Sequence, residues 1–438
     1  MIHRLFALVV ALCVLAGCPS SGGDSNQSAE PTWQVERADD NPTVSPVAAV
    51  VADMDGDGKL DIVSAWRGST DPNVNKPGLI AIHLQNGSGL WQTLVVEQGT
   101  RYQLVNAIAV ADVNVDTHPD IVVAAMDRII YLRAPADLRA GPGVGGGNVW
   151  TSFDLAASIG DKFKAWYDVV VGQIDGQAGP DIAATLADDG RLVWFKAPTN
   201  PDTAADWVLE VIDATTRKQC DSLILADLNG DQKLDVISTA PGEAQDIISW
   251  YEHPANLDTD PWVKHAMSNF AGATRIALGD LDGDGKPDLV AISPKDKRVA
   301  WLIQPATASS RWGGFVMADF SQSLDKRQPV AVAIADIDAD GHKDIVIAAT
   351  SPGVVSWFKP GSNDQLFWSE HEIVRSADID VGLIGLGDIN ADNFVDVAVP
   401  EDNISRDTND GAYWYRNPHF NTQPSTQPTT QTSTEPAT

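Results

Sequence analysis

Short apolar runs alternate with polar, glycine-rich stretches from residue 32 to residue 419. Runs such as "VAAVV", "DIVSAW" and "VAVAIA" are rich in β-branched residues and bounded by Gly, Pro, Asn and Asp, which predicts strands. The same order recurs in each unit. An apolar run leads into an acidic loop, and a second apolar run follows. A third segment carries an aromatic, as in "VWFKAP", "SWYEHP" and "AWLIQP", and a fourth opens on tryptophan (Trp91, Trp150, Trp207, Trp262, Trp312, Trp368). Seven loops recur with a mean spacing of about 56 residues, close to the period of a propeller blade. Four strands per unit and seven units predict an all-β, seven-bladed β-propeller.

The two ends of the repeat array fit each other. The seventh unit stops after its third segment, "AYWYRNP" (Ala412 to Pro418), while a spare tryptophan-led segment, "TWQVERA", surrounds Trp33 before the first loop. The N-terminal strand is therefore expected to complete the last blade, closing the ring without an open sheet edge. Five further tryptophans (Trp194, Trp250, Trp301, Trp357, Trp414) hold one third-strand position, with His83 and Tyr131 expected there in the other two blades. Placement this regular points to packing between blades.

Outside residues 32–419 the composition changes. Residues 1–17 contain Arg4 and an apolar run from Leu5 to Ala16, too short to span a bilayer, and read as a signal peptide. They end before Cys18 in Leu-Ala-Gly-Cys, which resembles a bacterial lipobox. That resemblance implies a lipid on Cys18, and Pro19 after it implies the outer membrane or cell surface. Residues 18–31 form a Ser/Gly-rich tether, and residues 420–438 a Thr/Gln/Pro/Ser-rich tail expected to be disordered. With Cys13 and Cys18 set aside, Cys220 is the one cysteine left, so the folded body has no internal disulfide. A net charge of −30 argues against nucleic acid as a partner and leaves the lipid anchor as the membrane contact.

The excess acid concentrates in the loops. "ADMDGDGKLDIV" (from Ala52) returns as "ADVNVDTHPDIV" (Ala111), "GQIDGQAGPDIA" (Gly172), "ADLNGDQKLDVI" (Ala226), "GDLDGDGKPDLV" (Gly279), "ADIDADGHKDIV" (Ala335) and "GDINADNFVDVA" (Gly387). Numbering each loop from its first acidic position, the first offers Asp53, Asp55, Asp57, the carbonyl of Lys59 and Asp61 at positions 1, 3, 5, 7 and 9. Hard cations take six to eight oxygens, so such a tight turn suits Ca²⁺ better than Mg²⁺, which keeps more of its waters. Gly56 and Gly58 permit the positive φ such a turn needs. The competing reading is an acidic hairpin without metal.

These loops resemble the FG-GAP/VCBS repeat, with the pattern D-x-[DN]-x-D-G-x-x-D, a family that includes the integrin alpha-chain propeller. The resemblance implies about six calcium sites. Besides the first loop they are Asp112, Asn114, Asp116, His118, Asp120; Asp227, Asn229, Asp231, Lys233, Asp235; Asp280, Asp282, Asp284, Lys286, Asp288; Asp336, Asp338, Asp340, His342, Asp344; and Asp388, Asn390, Asp392, Phe394, Asp396, the position-7 residue acting through its backbone. The third loop has Gln173 and Gln177 where acids belong, and is expected to be empty or weak. Val115 and Thr117 replace both glycines of the second loop, which predicts strain there. At extracellular affinities each ion would add about 1–2 kcal/mol in millimolar calcium.

A ligand is expected on the face opposite the calcium loops, where fourth strands pass to the next blade. Those connections hold Arg37, Arg101, Tyr102, Lys162, Lys164, Trp166, Tyr167, Arg217, Lys218, Arg275, Lys326, Arg327 and Arg375. Acids such as Asp161, Asp168, Asp325 and Asp378 share them, so solvated loop charge is the plainer reading. The eight histidines follow no metal-ligand spacing and there is no G-x-S-x-G elbow, so no catalytic or organic-cofactor residue is assigned. The expected function is a monomeric, calcium-stabilised binding or adhesion propeller on a bacterial envelope, with a glycan or protein ligand. The alternative is a carbohydrate-active enzyme of the sugar dehydratase or polysaccharide lyase type, which the "WYEHP…WVKH" pattern resembles.

Overall fold

Four-stranded antiparallel sheets follow one another along the chain in the computed structural model. It describes residues 32–38, 45–68, 77–86, 90–99, 104–125, 127–140, 149–156, 165–177, 179–186, 190–213, 220–245, 247–323, 326–361, 368–377, 379–403 and 411–419. The expected signal peptide, Cys18, tether and C-terminal tail lie outside these residues.

Blade 1 runs Ser45–Ala52, Asp61–Arg67, Gly78–Gln85 and Trp91–Gly99 in sequential order. Five more blades repeat the order, beginning at Val105, Trp166, Leu223, Arg275 and Gln328. The seventh uses both ends: Gln34–Arg37 pairs antiparallel with Gly411–Arg416, setting Gln34 opposite Arg416 and Arg37 opposite Tyr413. The protein is thus a seven-bladed β-propeller closed by its N-terminal strand, as the spare tryptophan segment predicts.

Blade 7 departs from four plain strands. Its innermost strand is split into Ile379–Val381 and Gly385–Gly387, both paired with Asp396–Asn403. Between them the chain leaves its own sheet for blade 1, where Leu383 N–H donates to Val47 O (2.8 Å) and Ala49 N–H to Leu383 O (2.9 Å). Gly382 permits this approach, since a Cβ there would lie 2.7 Å from Val47 O.

The second strand of each blade is sandwiched between neighbours and reads as a continuous apolar run; Asp120–Ala125, Asp181–Leu186 and Asp288–Ser293 are buried throughout. The third-strand tryptophans fill the gaps between blades. Trp194, for example, packs with Val236 and Tyr251 of blade 4. One expectation fails by a single residue. Tyr131 pairs with Val122, two residues past Asp120, like the tryptophans in their blades, but Ile82 is the residue that pairs with the matching Val63. His83 pairs with Ile62 and so faces the other way. A one-residue offset in a strand moves a side chain to the opposite face. His83 is fully buried, its Nε2 2.8 Å from Ser64 Oγ and its Nδ1 3.1 Å from Thr93 Oγ1.

Candidate metal loops and axial mouth

Each acidic loop joins the first and second strands of a blade and is built from its own carboxylates. Position 1 accepts backbone N–H groups from further along the turn: Asp53 bonds Gly56 N (2.8 Å) and Gly58 N (2.9 Å), and Asp280 bonds Gly283 N and Gly285 N likewise. Position 5 accepts the position-7 N–H of Lys59, His118, Lys233, Lys286, His342 and Phe394 at 2.9–3.0 Å. The turn needs a left-handed backbone at positions 4 and 6. Gly56 and Gly58 supply it freely, whereas Val115 (φ 60°) and Thr117 (φ 77°) adopt it in the second loop at a cost.

The position-9 aspartates have a role that spacing alone does not reveal. Asp61, Asp120, Asp181, Asp235, Asp288, Asp344 and Asp396 are all buried. One oxygen of each accepts the position-2 N–H, at 2.8–3.4 Å. In six blades the other accepts an N–H at or just beyond the end of the third strand, from Gln85, Ala134, Ala197, His253, Gln304 or Asn417, at 2.7–2.9 Å. Blade 6 has Pro360 at that place, which has no N–H, and Asp344 Oδ1 is left buried without a partner. Burial pushes these carboxyls up, Asp61, Asp120, Asp344 and Asp396 to about 7. They tie loop to blade, and with spare lone pairs can still share an oxygen with a cation.

Among the described residues, three clusters bring carboxylate oxygens within 4.8 Å of one another: Asp53, Asp55 and Asp57; Asp280, Asp282 and Asp284; and Asp336, Asp338 and Asp344. The residues present fit a hard cation, and the loops with Asn114, Asn229 and Asn390 offer an amide oxygen at the corresponding point. Side-chain cations already serve several loops. Arg139 bonds Asp55, and reaches Asp57 at 3.2 Å. Lys359 bonds Asp338, and Asp340 at 2.8 Å. His419 bonds Asp392 at 2.5 Å. In the degenerate third loop Lys196 pairs with the buried Asp175 at 3.0 Å, while the Gln173 amide closes the turn onto Gln177 O and Gly179 O.

The opposite face has a different chemistry. First strands begin there, and a cavity of about 410 Å³ on the axis is lined by Ala48, Ile108, Asp168, Ser222, Arg275 and Leu383 among others. Arg275 pairs with Asp168 at 3.2 Å and also bonds Asp221 O. Arg67 donates to Asn106 Oδ1 at 2.8 Å, and Asn106 donates to Trp166 O at 2.7 Å. Burial pulls the Arg67 guanidinium below its ordinary value, with Tyr167 opposing and Arg275 adding to the effect. The expected basic ring is thinner than its composition. Trp166 is core, Arg327 is buried against Glu370 and the Phe320 ring, and Arg375 pairs with Glu372. Arg101, Tyr102, Lys162, Lys164, Arg217 and Lys218 lie outside the described residues.

A family model described as "FG-GAP-like repeat" matches residues 53–123 and 227–291, each beginning on a position-1 aspartate. The chain carries FG-GAP-like repeats. No curated protein matches it. Among solved structures it is similar to BBS1N in complex with ARL6DN, soaked with lead (12% identity, 88% of this chain and 97% of that one, TM-score 0.52). It is also similar to the Cps50 (Swd1) β-propeller domain of Myceliophteria thermophila (10% identity, 88% and 99%, TM-score 0.50). At such identity the likeness concerns the fold alone.

Proposed function

We propose that this protein is a calcium-stabilised binding propeller, held on a bacterial outer membrane or cell surface by a lipid on Cys18, and working as a monomer. Calcium would sit in about six of the FG-GAP-like loops. The third loop would do without it, because Lys196 already supplies a positive charge to Asp175. In those blades the ions would staple the first strand to the second and take no part in recognition.

Recognition is assigned to the axial mouth on the face away from the loops. The observation that supports it is the Arg275–Asp168 pair in the wall of the cavity there. The Arg275 guanidinium in the cavity wall suits a carboxylate, as in an acidic glycan or a carboxylate-bearing protein segment. The test is retention of the full chain on immobilised acidic and neutral polysaccharides, with and without chelator, sizing the eluted glycan. Retention in calcium, lost with chelator and weakened in Arg275→Ala, supports the reading. Shortened or unsaturated glycan would instead favour a carbohydrate-active enzyme. No retention would leave a protein ligand to be sought on the cell surface.

A further inference from the structure

A second cavity, of about 590 Å³, opens between blades 4 and 5 on the side of the acidic loops, away from the axial mouth. Its volume falls in the range of small-molecule sites. It is lined by Trp250, Glu252 and His265 from blade 4, by Gln304 and the turn 305–309 from blade 5, and by residues 227–230 and 285–287 of the acidic loops of the same two blades.

Three features set this cavity apart from the other blade junctions. First, Glu252 occupies a third-strand place that holds Leu84, Arg133, Lys196, Ile303, Lys359 and Arg416 in the other blades, so it is acidic here alone. Second, the carboxylate is fixed from two sides. His265 Nε2 lies 2.8 Å from one oxygen and Asn229 donates to the other at 3.3 Å; the stacking of the His265 ring on Trp250 is shared with His371 on Trp357 in blade 6. Third, Gln304 is 6% exposed; its amide nitrogen donates to Leu228 O at 2.9 Å, but its Oε1 has no hydrogen-bond partner. The oxygen is itself covered, so a donor reaches it only when the Gln304 amide turns toward the cavity.

We infer that this cavity is a second binding site, for a neutral, hydroxyl-rich ligand such as one or two sugar residues. Glu252 is already matched by His265 and Asn229, so the site does not demand a cation. What it lacks is a neutral donor for Gln304 Oε1. A sugar hydroxyl both donates and accepts, and can bond Glu252, and Gln304 Oε1 once that amide turns, while accepting from Lys286 or from Thr307 and Ser309 in the turn.

The test is calorimetric titration of the calcium-loaded full chain with cellobiose, maltose and lactose, and with putrescine as a cationic control. Two variants accompany it: Ala306→Trp, which fills the cavity from an exposed turn position, and Glu252→Leu. The expected result is binding of at least one disaccharide, weakened tenfold or more in both variants, with the melting temperature of Ala306→Trp unchanged. Binding of putrescine alone, no binding at all, or equal affinity in Ala306→Trp would overturn the inference. Because Ala306 is far from the axial mouth, these outcomes are independent of the polysaccharide assay for that site.

Discussion

The Gln85 side-chain amide donates to the Ile389 carbonyl at 2.6 Å, joining the first blade to the last. The same contact recurs around the ring. Gln304 reaches Leu228 O (2.9 Å), Asn417 reaches Ile337 O (2.7 Å), and the His253 ring reaches Ile174 O (3.0 Å). Each acceptor is the position-2 carbonyl of the preceding blade's acidic loop. Each donor residue also gives its backbone N–H to the position-9 aspartate of its own blade. At these four junctions one residue therefore locks two loops together. Replacing Gln85 with Leu leaves the Ile389 carbonyl without this partner, which costs about 1–3 kcal/mol. Thermal denaturation of Gln85→Leu should show a lower midpoint than wild type, and an equal midpoint would contradict the staple.

Blade 6 lacks half of this arrangement, because Pro360 stands where the backbone donor belongs and Asp344 Oδ1 has no partner. Pro360→Ala restores the N–H. The recovered hydrogen bond contributes about 1–3 kcal/mol and outweighs the roughly 0.4–1 kcal/mol lost by freeing the unfolded chain. A higher denaturation midpoint is expected; a lower one would mean that the ring of Pro360, and not its missing donor, matters at this place.

Val115 holds φ 60° on an exposed loop. Left-handed backbone costs a β-branched residue about 1–2 kcal/mol, and glycine recovers most of that despite its larger unfolded-state entropy. Val115→Gly should raise stability by about 0.5–1 kcal/mol in urea denaturation. No gain would show that the second loop is not strained.

Lys196 and Lys359 occupy the same third-strand place and both reach into acidic loops, with different consequences. Asp175 has Gln173 and Gln177 as loop neighbours, so Lys196→Met leaves a buried charge unmatched and should cost about 2 kcal/mol with or without calcium. Lys359 bonds Asp338 and Asp340 beside the cluster of Asp336, Asp338 and Asp344, a set able to hold a cation by itself. Lys359→Met should tighten calcium binding at that loop, seen by titration. Weaker binding would show that the ammonium supports the site.

Burial lowers His83 to about 3, so it stays neutral in the fold while the unfolded chain takes up a proton below about 6.5. Between those values the unfolded state binds more protons, and stability falls as pH falls, by up to about 1.4 kcal/mol per unit from this residue. Glu401, which bonds Tyr415 and is pushed up by burial to about 7, works in the opposite sense between about 4.5 and 7. The difference between wild type and His83→Gln isolates the histidine. The variant should lose less stability on going from pH 6.5 to 4, and equal losses would contradict a neutral buried His83.

The blade count, the closing strand and the loop positions were legible because each rests on local spacing and on residue types with fixed backbone habits. The face of His83 was not, since one shifted position in the Gly78–Gln85 strand reverses it and nothing in the local composition marks the shift. The double duty of Gln85, Gln304 and Asn417 was hidden for another reason. Their partners are some 76 to 304 residues away and are met only when blades close into a ring. A signal did exist: an amide or imidazole recurs three residues after Trp250, Trp301 and Trp414, a place with no bearing on strand formation. The cations at the loops were missed because Arg139 and Lys359 reach them across turns and strands that spacing does not order.

Calcium is the central claim, and direct counting tests it. The full chain would be dialysed to equilibrium in millimolar calcium, its bound metal counted, and its thermal midpoint compared with that in chelator. We expect about six ions per chain, together adding several kcal/mol of stability and a midpoint well above that of the chelated protein. A chain that binds no calcium and melts at the same temperature in chelator would contradict the account, and would leave the acidic loops as hairpins held by their own backbone hydrogen bonds.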